Sequence, residues 1–204
     1  EKQQTLVDVV IWSFDYHRHF QLAPLGEVNN EVLRVYTSAG ADRITIHETQ
    51  DGRVLVDVAG DLQHFDDVRE VVIDAGAGDD RIVIAETFTR KATVRGGSGR
   101  DELISYSDGE IYFDGGDNND YIIQMGGAGA TLHGGAGDDT IIGGVDIDYI
   151  FGGAGNDIIH GDEAPELYGT AKSAEMGSGD YIYAGGGDDL IFGQYDGDTI
   201  FGDA

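Results

Sequence analysis

The stretch GGAGDDTIIGGVDIDYIFGGAGNDIIHGD, residues 134–162, decides the fold of this chain of 204 residues. It contains three consecutive nonapeptides, which begin at Gly134, Gly143 and Gly152. Each has a glycine pair, an aspartate at its sixth position and an aliphatic residue at its eighth. A fixed short period of this kind is typical of a solenoid, in which each repeat buries its apolar face by stacking on its neighbours.

The same period continues on both sides of this stretch. GGSGRDELI begins at Gly96 and GGDNNDYII at Gly115, while AGGGDDLIF from Ala184 and GQYDGDTIF from Gly193 are degenerate copies. A half-repeat surrounds Asp180, and the pattern begins near residue 75. The repeat therefore governs most of the chain.

The sixth position is an aspartate throughout, so a hard oxygen donor recurs. Glycines at the first, second and fourth positions permit positive φ and let the turn direct its carbonyl groups inward. Ca²⁺ accepts six to eight oxygen ligands, whereas zinc and copper prefer nitrogen or sulfur and Mg²⁺ retains waters. The pattern therefore predicts calcium. The aspartates are Asp80, Asp101, Asp120, Asp139, Asp148, Asp157, Asp180, Asp189 and Asp198.

The eighth position is a large aliphatic residue in every copy. It stands two residues after the aspartate, which fits a strand whose side chain points into a core between two thin sheets. The predicted core ladder comprises Ile82, Leu103, Ile122, Ile141, Ile150, Ile159, Ile182, Ile191 and Ile200.

The consensus G-G-x-G-x-D-x-U-x, with U a large aliphatic residue, resembles the nonapeptide of the repeats-in-toxin (RTX), or haemolysin-type, calcium-binding family. The resemblance covers roughly residues 75–204. It implies an all-β fold, a right-handed parallel β-roll or β-helix solenoid with Ca²⁺ in its turns. In that family each nonapeptide is half a coil, so that ion sites lie between half-turns on the same edge.

The resemblance also implies a ligand set and a number of ions. One edge would carry Asp80, Asp101, Asp120, Asp139, Asp157 and Asp189, and the other Asp148, Asp180 and Asp198. Consecutive pairs give at most about seven ions. Carbonyl groups at the first and third positions would complete the shells: Gly96, Gly115, Gly134, Gly143, Gly152, Ala184 and Gly193 at the first, and Ser98, Asp117, Ala136, Val145, Ala154, Gly186 and Tyr195 at the third. Alanine at the first position, as at Ala75 and Ala184, is expected to weaken a site without abolishing it.

The charge of the chain excludes some classes of function and supports a metal. Acidic residues number 39 against 12 basic ones, a formal charge of −27, which excludes a general nucleic-acid binder and disfavours anionic membranes. The hydrophobic content of 40% suffices for a core once that charge is neutralised, and there is no cysteine to form disulfides. Calcium-dependent folding follows. Residues 5–12, TLVDVVIW, are interrupted by Asp8, and neither a signal peptide nor a membrane anchor is visible.

Several segments depart from the pattern. Between Asp101 and Asp139 the opposite edge offers only a displaced Asp108, so few or no ions are expected there. Asn118, Asp146 and Asp196 replace the fourth glycine and are expected at positive φ. Residues 163–176 are predicted to form a loop inserted into one turn, with Asp162 or Glu163 near an ion.

The N-terminal third is less regular. Residues 33–46 align with residues 71–84 at an offset of 38, which predicts two coils of nineteen residues, with strands at RVLVDV and VREVVI and a weak ligand at Asp42. Residues 1–30 match no repeat and are predicted to be a strand-rich cap or the tail of a preceding domain. Residues 31–95 would then form degenerate coils and residues 96–204 the calcium-binding roll. His17 and His19 share a strand face but lack a third metal ligand nearby.

Three functions remain open. The first is a non-catalytic calcium-binding module of a secreted protein that folds after export, by the type I secretion route that the resemblance implies. The second is a module of a larger secreted protease, lipase or polysaccharide epimerase. The chain itself has no H-E-x-x-H, G-x-S-x-G or P-loop motif and is expected not to be an enzyme. The third is an adhesion or self-assembly surface for a glycan or protein, formed by Tyr149, Phe151, Tyr181, Tyr183 and Phe201.

Overall fold

A computed structural model describes residues 6–10, 23–28, 31–37, 39–162, 179–194 and 197–202. All regular elements in these ranges are β-strands. The described residues contain no helix that is long and apolar enough to cross a membrane. In chain order the strands are β1 (Leu6–Val10), β2 (Ala23–Val28), β3 (Val32–Tyr36), β4 (Arg43–Glu48), β5 (Val54–Val58), β6 (Asp61–Phe65), β7 (Glu70–Asp74), β8 (Arg81–Ile84), β9 (Lys91–Ser98), β10 (Glu102–Ser105), β11 (Ile111–Asp117), β12 (Tyr121–Gln124), β13 (Ala130–Ala136), β14 (Thr140–Ile142), β15 (Tyr149–Ala154), β16 (Ile158–His160), β17 (Tyr181–Gly186), β18 (Leu190–Phe192) and β19 (Thr199–Phe201).

The strands form two sheets, and successive strands from β7 onward alternate between them. The first sheet has ten strands in the order β19-β17-β15-β13-β11-β9-β7-β3-β1-β2, and the second has nine in the order β18-β16-β14-β12-β10-β8-β4-β5-β6. Neighbours from β7 and β8 onward are parallel and in register, so that Ile122 pairs with Leu103 on one side and Ile141 on the other. Each nonapeptide therefore supplies one strand and one turn of a parallel β-roll. The predicted fold is confirmed.

The core is the ladder of eighth-position side chains between the sheets. Ile82, Leu103, Ile122, Ile141, Ile150, Ile159 and Ile182 are completely buried. Ile191 is only partly buried, and Ile200 is 47% exposed. The prediction for Ile200 is wrong because β19 is the edge strand of the first sheet, where a residue has a neighbouring coil on one side only.

The N-terminal third contains one coil where two were predicted. Strands β3 and β4 pair directly with β7 and β8, so that Ile44 lies beside Ile82 although 38 residues separate them. The intervening β5 and β6 are antiparallel and extend the second sheet beyond β4. A two-residue turn with positive φ at both Ala59 (51°) and Gly60 (98°) joins them, which is the geometry that antiparallel hairpins require.

The first two strands lie at one end of the first sheet. Strand β1 is parallel to β3, with Val9 beside Val35, and β2 is antiparallel to β1 at the edge. The strand-rich character expected of residues 1–30 is thus present at residues 6–10 and 23–28. His17 and His19 lie outside the described residues.

Phe113 provides a test of the core. Its side chain is fully buried on β11, which pairs with Val94 of β9 and Leu132 of β13. Replacing Phe113 by Ala is expected to lower the free energy of unfolding by about 3–5 kcal/mol in saturating calcium, because a large cavity remains. Urea denaturation followed by circular dichroism measures this change. Leu62→Ala is the control, since Leu62 is 57% exposed on the edge strand β6, and similar losses for both variants would contradict the assignment of the core.

Candidate metal centres along the two edges

The sixth-position aspartates form a column along one edge of the roll. The backbone amide of each aspartate donates a hydrogen bond to carboxylate Oδ1 of the aspartate in the next coil, which fixes each carboxylate between two turns. The donor–acceptor pairs are Asp42–Asp80 (2.7 Å), Asp80–Asp101 (2.9 Å), Asp101–Asp120 (2.8 Å), Asp120–Asp139 (2.7 Å), Asp139–Asp157 (2.9 Å) and Asp157–Asp189 (2.9 Å). The aspartates predicted for this edge are therefore together, and Asp42 joins them.

A second, shorter column lies on the opposite edge. The amide of Asp148 donates to Oδ1 of Asp180 at 2.8 Å, and the amide of Asp180 donates to Oδ1 of Asp198 at 3.0 Å. The assignment of these three aspartates to a separate edge is confirmed. In the preceding coils the same register is occupied by apolar residues, which are buried: Val71, Ala92, Ile111 and Ala130.

Side-chain hydrogen bonds replace carboxylates on this edge before Asp148. The Gln124 amide donates to the carbonyl oxygens of Ser107 and Ala128, both at 3.2 Å. The Ser107 hydroxyl donates to the Phe88 carbonyl of the preceding coil, and the Asp108 carboxylate accepts the Gly127 amide at 2.7 Å. These turns are thus joined by groups of the protein itself. Sequence reasoning missed both residues: Gln124 is a polar residue at the end of an apolar strand, and Ser107 lies two residues beyond β10.

The second carboxylate oxygen of most column residues has no hydrogen-bond partner. Within the described part of the chain this holds for the buried Oδ2 atoms of Asp42, Asp80, Asp101, Asp120, Asp139, Asp157 and Asp180. A buried carboxylate oxygen without a partner is costly, and the cost is greater when other carboxylates stand above and below it. Such a column requires either protons or cations.

The pKa values of these groups reflect the same environment. Burial raises the pKa of Asp120 to about 8 and the pKa values of Asp80, Asp139, Asp148 and Asp180 to about 7. The amide hydrogen bond to each carboxylate partly offsets this effect, while neighbouring aspartates add to it. Near neutral pH the columns therefore bind either protons or a competing cation.

Glycine at the first position leaves room beside each carboxylate. A Cβ atom at Gly96 would overlap both Oδ2 of Asp101 and the carbonyl oxygen of Gly115 in the next coil. The same overlap with the aspartate of the repeat recurs at Gly115, Gly134, Gly143, Gly152 and Gly193. The first-position carbonyl of each following coil thus faces the carboxylate, as a shared ligand set requires. At Gly116 a φ of 114° and the nearby Gly97 carbonyl oxygen also demand glycine.

The third-position residues stack along the first edge, where their strands pair in register. Their carbonyl groups accept amide hydrogen bonds from the preceding coil, for example Gly78 to Ser98 at 2.8 Å and Gly137 to Ala154 at 2.7 Å. One lone pair of each such carbonyl oxygen is therefore already used, and the second remains for an ion. The stack comprises Ser98, Asp117, Ala136, Ala154 and Gly186, while Tyr195 lies outside the described residues.

The turns of the two columns differ in conformation. Asn118 has a φ of 78°, as predicted for a residue in place of the fourth glycine. Asp146 does not have a positive φ, so that prediction is wrong. In the turn at residues 143–148, the Gly144 amide donates a hydrogen bond to Oδ2 of Asp148 at 2.7 Å. This bond closes the turn without a positive φ at its fourth position. Asp196 and the predicted loop at residues 163–176 lie outside the described residues.

The donor set identifies the kind of metal that would fit. Carboxylate and carbonyl oxygens converge along both columns, while no group of three or more His, Cys, Asp and Glu side chains with metal-binding geometry occurs among the residues that the structure describes. Zinc and copper sites use nitrogen or sulfur, whereas Ca²⁺ accepts carboxylates mixed with carbonyls in flexible geometry. The unpartnered Oδ2 atoms fit a calcium ion.

Comparison with known families agrees with this geometry. The model of the RTX calcium-binding nonapeptide repeat matches residues 71–83, 133–163 and 177–204, with four copies. The part of the chain from residue 71 to residue 204 thus carries repeats of this family. The matched segments include the whole second column and part of the first, which continues through Asp101 and Asp120 between those segments. The protein is therefore a calcium-binding RTX module, and no catalytic family is found. No curated protein and no solved structure shows significant similarity to it.

The raised pKa values predict an unusual pH dependence without calcium. The pKa is about 7 for Asp139 and about 8 for Asp120 in the folded state, against 3.8 for an unperturbed aspartate. Because the folded state then binds more protons than the unfolded state, the free energy of unfolding in chelator should rise as pH falls from about 8 to about 4. Far-UV circular dichroism at several pH values in calcium-free buffer measures this rise as an increase in the folded fraction. A stability that is constant or falls over this range would contradict the buried columns.

Proposed function

We propose that this RTX module is non-catalytic, belongs to a secreted protein, and folds when it meets calcium after export. The proposal rests on the column of buried carboxylates whose Oδ2 atoms lack partners. Such a column opposes folding when calcium is scarce and becomes favourable when ions bridge consecutive coils. Calcium would thus act as the folding switch.

The ion sites proposed are those between consecutive aspartates on each edge, at most about seven in all. The carboxylates from Asp80 to Asp189 on the first edge and from Asp148 to Asp198 on the second would each face two coils. First-position carbonyl oxygens, such as that of Gly115 beside Asp101, and third-position ones, such as that of Ser98, would complete the shells. The roll over residues 96–204 would hold most of these ions.

The response to calcium follows from ligand linkage. An ion that binds only the folded state stabilises it by about 2.7 kcal/mol when its concentration is 100 times its dissociation constant. Several sites along one roll add their contributions, and each also removes part of the repulsion within a chain of net charge −27. A chain that stays unfolded where calcium is scarce suits type I export, and the lack of cysteine suits folding without disulfides.

The alternative is that the module serves a larger secreted enzyme, a protease, lipase or polysaccharide epimerase. The carboxylates of the columns support a structural role in either case. Their Oδ1 atoms accept backbone amides and their Oδ2 atoms are buried, so substrate has no access to them. Catalysis by a parent protein would therefore reside outside these columns.

Calcium titration of the full chain tests the proposed function directly. Far-UV circular dichroism is expected to show a cooperative gain of β-structure with Ca²⁺ and little gain with the same concentration of Mg²⁺, which resists loss of its waters. Chelator should reverse the change. A chain equally folded in chelator and in calcium would refute calcium-dependent folding.

Asp139→Asn tests an individual site, with Asp138→Asn as its matched control. Both variants remove one negative charge from the same turn, but Asp139 is buried in the column whereas Asp138 is exposed and accepts the Asn156 amide at 2.8 Å. Asp139→Asn is expected to raise the calcium midpoint of folding several-fold and to reduce the number of ions bound. Isothermal titration calorimetry measures both, and equal effects of the two substitutions would argue against the site.

A second candidate function is adhesion through an aromatic strip, defined as Tyr149, Phe151, Tyr181, Tyr183 and Phe201 on the outer face of the first sheet. Tyr149, Tyr181, Tyr183 and Phe201 are 37–49% exposed. Parallel stacking joins Phe151 to Tyr183 (ring centroids 5.0 Å apart), Tyr183 to Phe201 (4.7 Å) and Tyr149 to Tyr181 (5.1 Å). Because stacked rings cover one another's faces, a glycan or protein would contact mainly the ring edges.

The triple variant Phe151→Ser, Tyr183→Ser and Phe201→Ser tests this surface. It should lose binding to a glycan array, or self-association in sedimentation experiments, while calcium still induces folding. Some loss of stability is also expected, about 0.5–1.5 kcal/mol for each stacked pair. Tyr106→Ser, which alters a tyrosine that is 41% exposed outside the strip, is the control. Unchanged binding and association in the triple variant would rule out the strip as a binding surface.

A further inference from the structure

Thr37 stands at the first position of the earliest coil, where the later repeats have glycine or alanine. Its hydroxyl donates a hydrogen bond to the Ala75 carbonyl oxygen at 2.6 Å. Ala75 is the first-position residue of the next coil. The same hydroxyl lies within hydrogen-bonding reach of the Asp42 carboxyl group, and its single proton can go to either acceptor, so that Oδ2 of Asp42 has no partner while the proton is donated to Ala75. The side chain of Thr37 therefore lies between the carboxylate of its own coil and the carbonyl of the following one.

The later coils show which space a side chain at the first position would occupy. At Gly96, Gly115 and Gly134, a Cβ atom would point between the aspartate Oδ2 of the same repeat and the first-position carbonyl oxygen of the next coil. These two oxygens are proposed calcium ligands, and a bound ion would lie 2.3–2.6 Å from each. A side chain at the first position and an ion therefore compete for one place.

We propose that the Thr37 hydroxyl takes the place of a calcium ion between the first two coils, so that the Asp42–Asp80 step is closed without metal. This inference rests on the proposed function, because it assumes that the glycine-containing coils bind calcium. The column geometry is otherwise complete at this step, since the Asp42 amide donates to Oδ1 of Asp80 at 2.7 Å as in the other coils. The residue at the first position, more than the aspartate, then decides where the ion column begins.

The same rule assigns a graded effect to alanine. The methyl groups of Ala75 and Ala184 occupy the first position without supplying a donor, and both residues are buried. The Asp80–Asp101 step is therefore the weakest of the proposed calcium sites, while Asp189 is the last aspartate of its column among the described residues and has no following one there with which to share an ion. This graded effect gives a physical reason for the expectation that alanine at the first position weakens a site without abolishing it.

If the Asp42–Asp80 step needs no metal, the N-terminal end of the roll can remain folded without calcium. Other contacts in this part of the chain also need no ion: Arg90 binds Glu48 at 2.9 Å and donates to the Gly52 carbonyl at 2.6 Å. The first coil and its hairpin would then persist at low calcium and template the coils that follow, which close in turn as ions bind.

The experiment compares wild type with Thr37→Gly and Thr37→Val in the full chain. Thr37→Gly is expected to bind one more Ca²⁺ per chain by isothermal titration calorimetry. Thr37→Val keeps the volume but lacks the donor, so it should bind the same number of ions as wild type. By hydrogen exchange in chelator, residues 31–48 should lose protection in both variants, and calcium should restore it only in Thr37→Gly.

Gly134→Thr is the reverse test and keeps the inference falsifiable if Thr37→Gly does not fold. Gly134 does not have a positive φ, but a side chain there overlaps Oδ2 of Asp139 and the Gly152 carbonyl oxygen, which must move apart to admit it. Buried Ala75 and Ala184 show that other coils hold a side chain at this position, and the variant should bind one ion fewer. An unchanged ion number in Thr37→Gly, or in Gly134→Thr, would overturn the inference while wild type still binds calcium. Absence of calcium binding by wild type would instead refute the proposed function itself.

Discussion

Repulsion between stacked carboxylates is the constraint on which the rest of this roll depends. Parallel strands lie about 4.8 Å apart, and two unit charges at that distance repel by about 3 kcal/mol at an effective dielectric constant near 20. The first column places aspartates from Asp42 to Asp189 at this spacing. Since each aspartate stands two residues before a core isoleucine or leucine, the apolar ladder cannot close unless the charges beside it are neutralised.

Much of this arrangement was predictable because covalent spacing dictates it. The nine-residue period places Asp139 and Ile141 on one strand and their counterparts Asp157 and Ile159 on the next coil, so column and core follow from the pattern. The second coil expected before residue 71 was wrong for a physical reason: VLVDV at residues 54–58 alternates equally well as a coil strand or a hairpin strand. The Ala59–Gly60 turn decides between them, and its geometry is local.

The sites were less predictable than the fold. A sequence shows that Gln124 is polar but not that it is buried, because burial depends on the coil stacked over it. Likewise, the direction of a first-position Cβ depends on the backbone conformation and on the stacking of neighbouring coils, which the amino-acid sequence does not state directly. In the sequence Thr37 is only a departure from the glycine consensus at the first position. In the structure its hydroxyl donates a hydrogen bond to the carbonyl oxygen of Ala75, which lies 38 residues later in the chain.

The two ends of the roll differ in how many carboxylates stack along their edges. Toward the N-terminus, one edge carries apolar residues at the aspartate register, such as Ile111 and Ala130, and Gln124 and Ser107 join its turns. From Asp148 onward both edges carry carboxylates, so the repulsion per coil is doubled. The stacked rings from His133 through Phe151 and Tyr183 to Phe201 run along these same coils. Their apolar contacts act where the charge is greatest, and they do not depend on whether an ion has yet arrived.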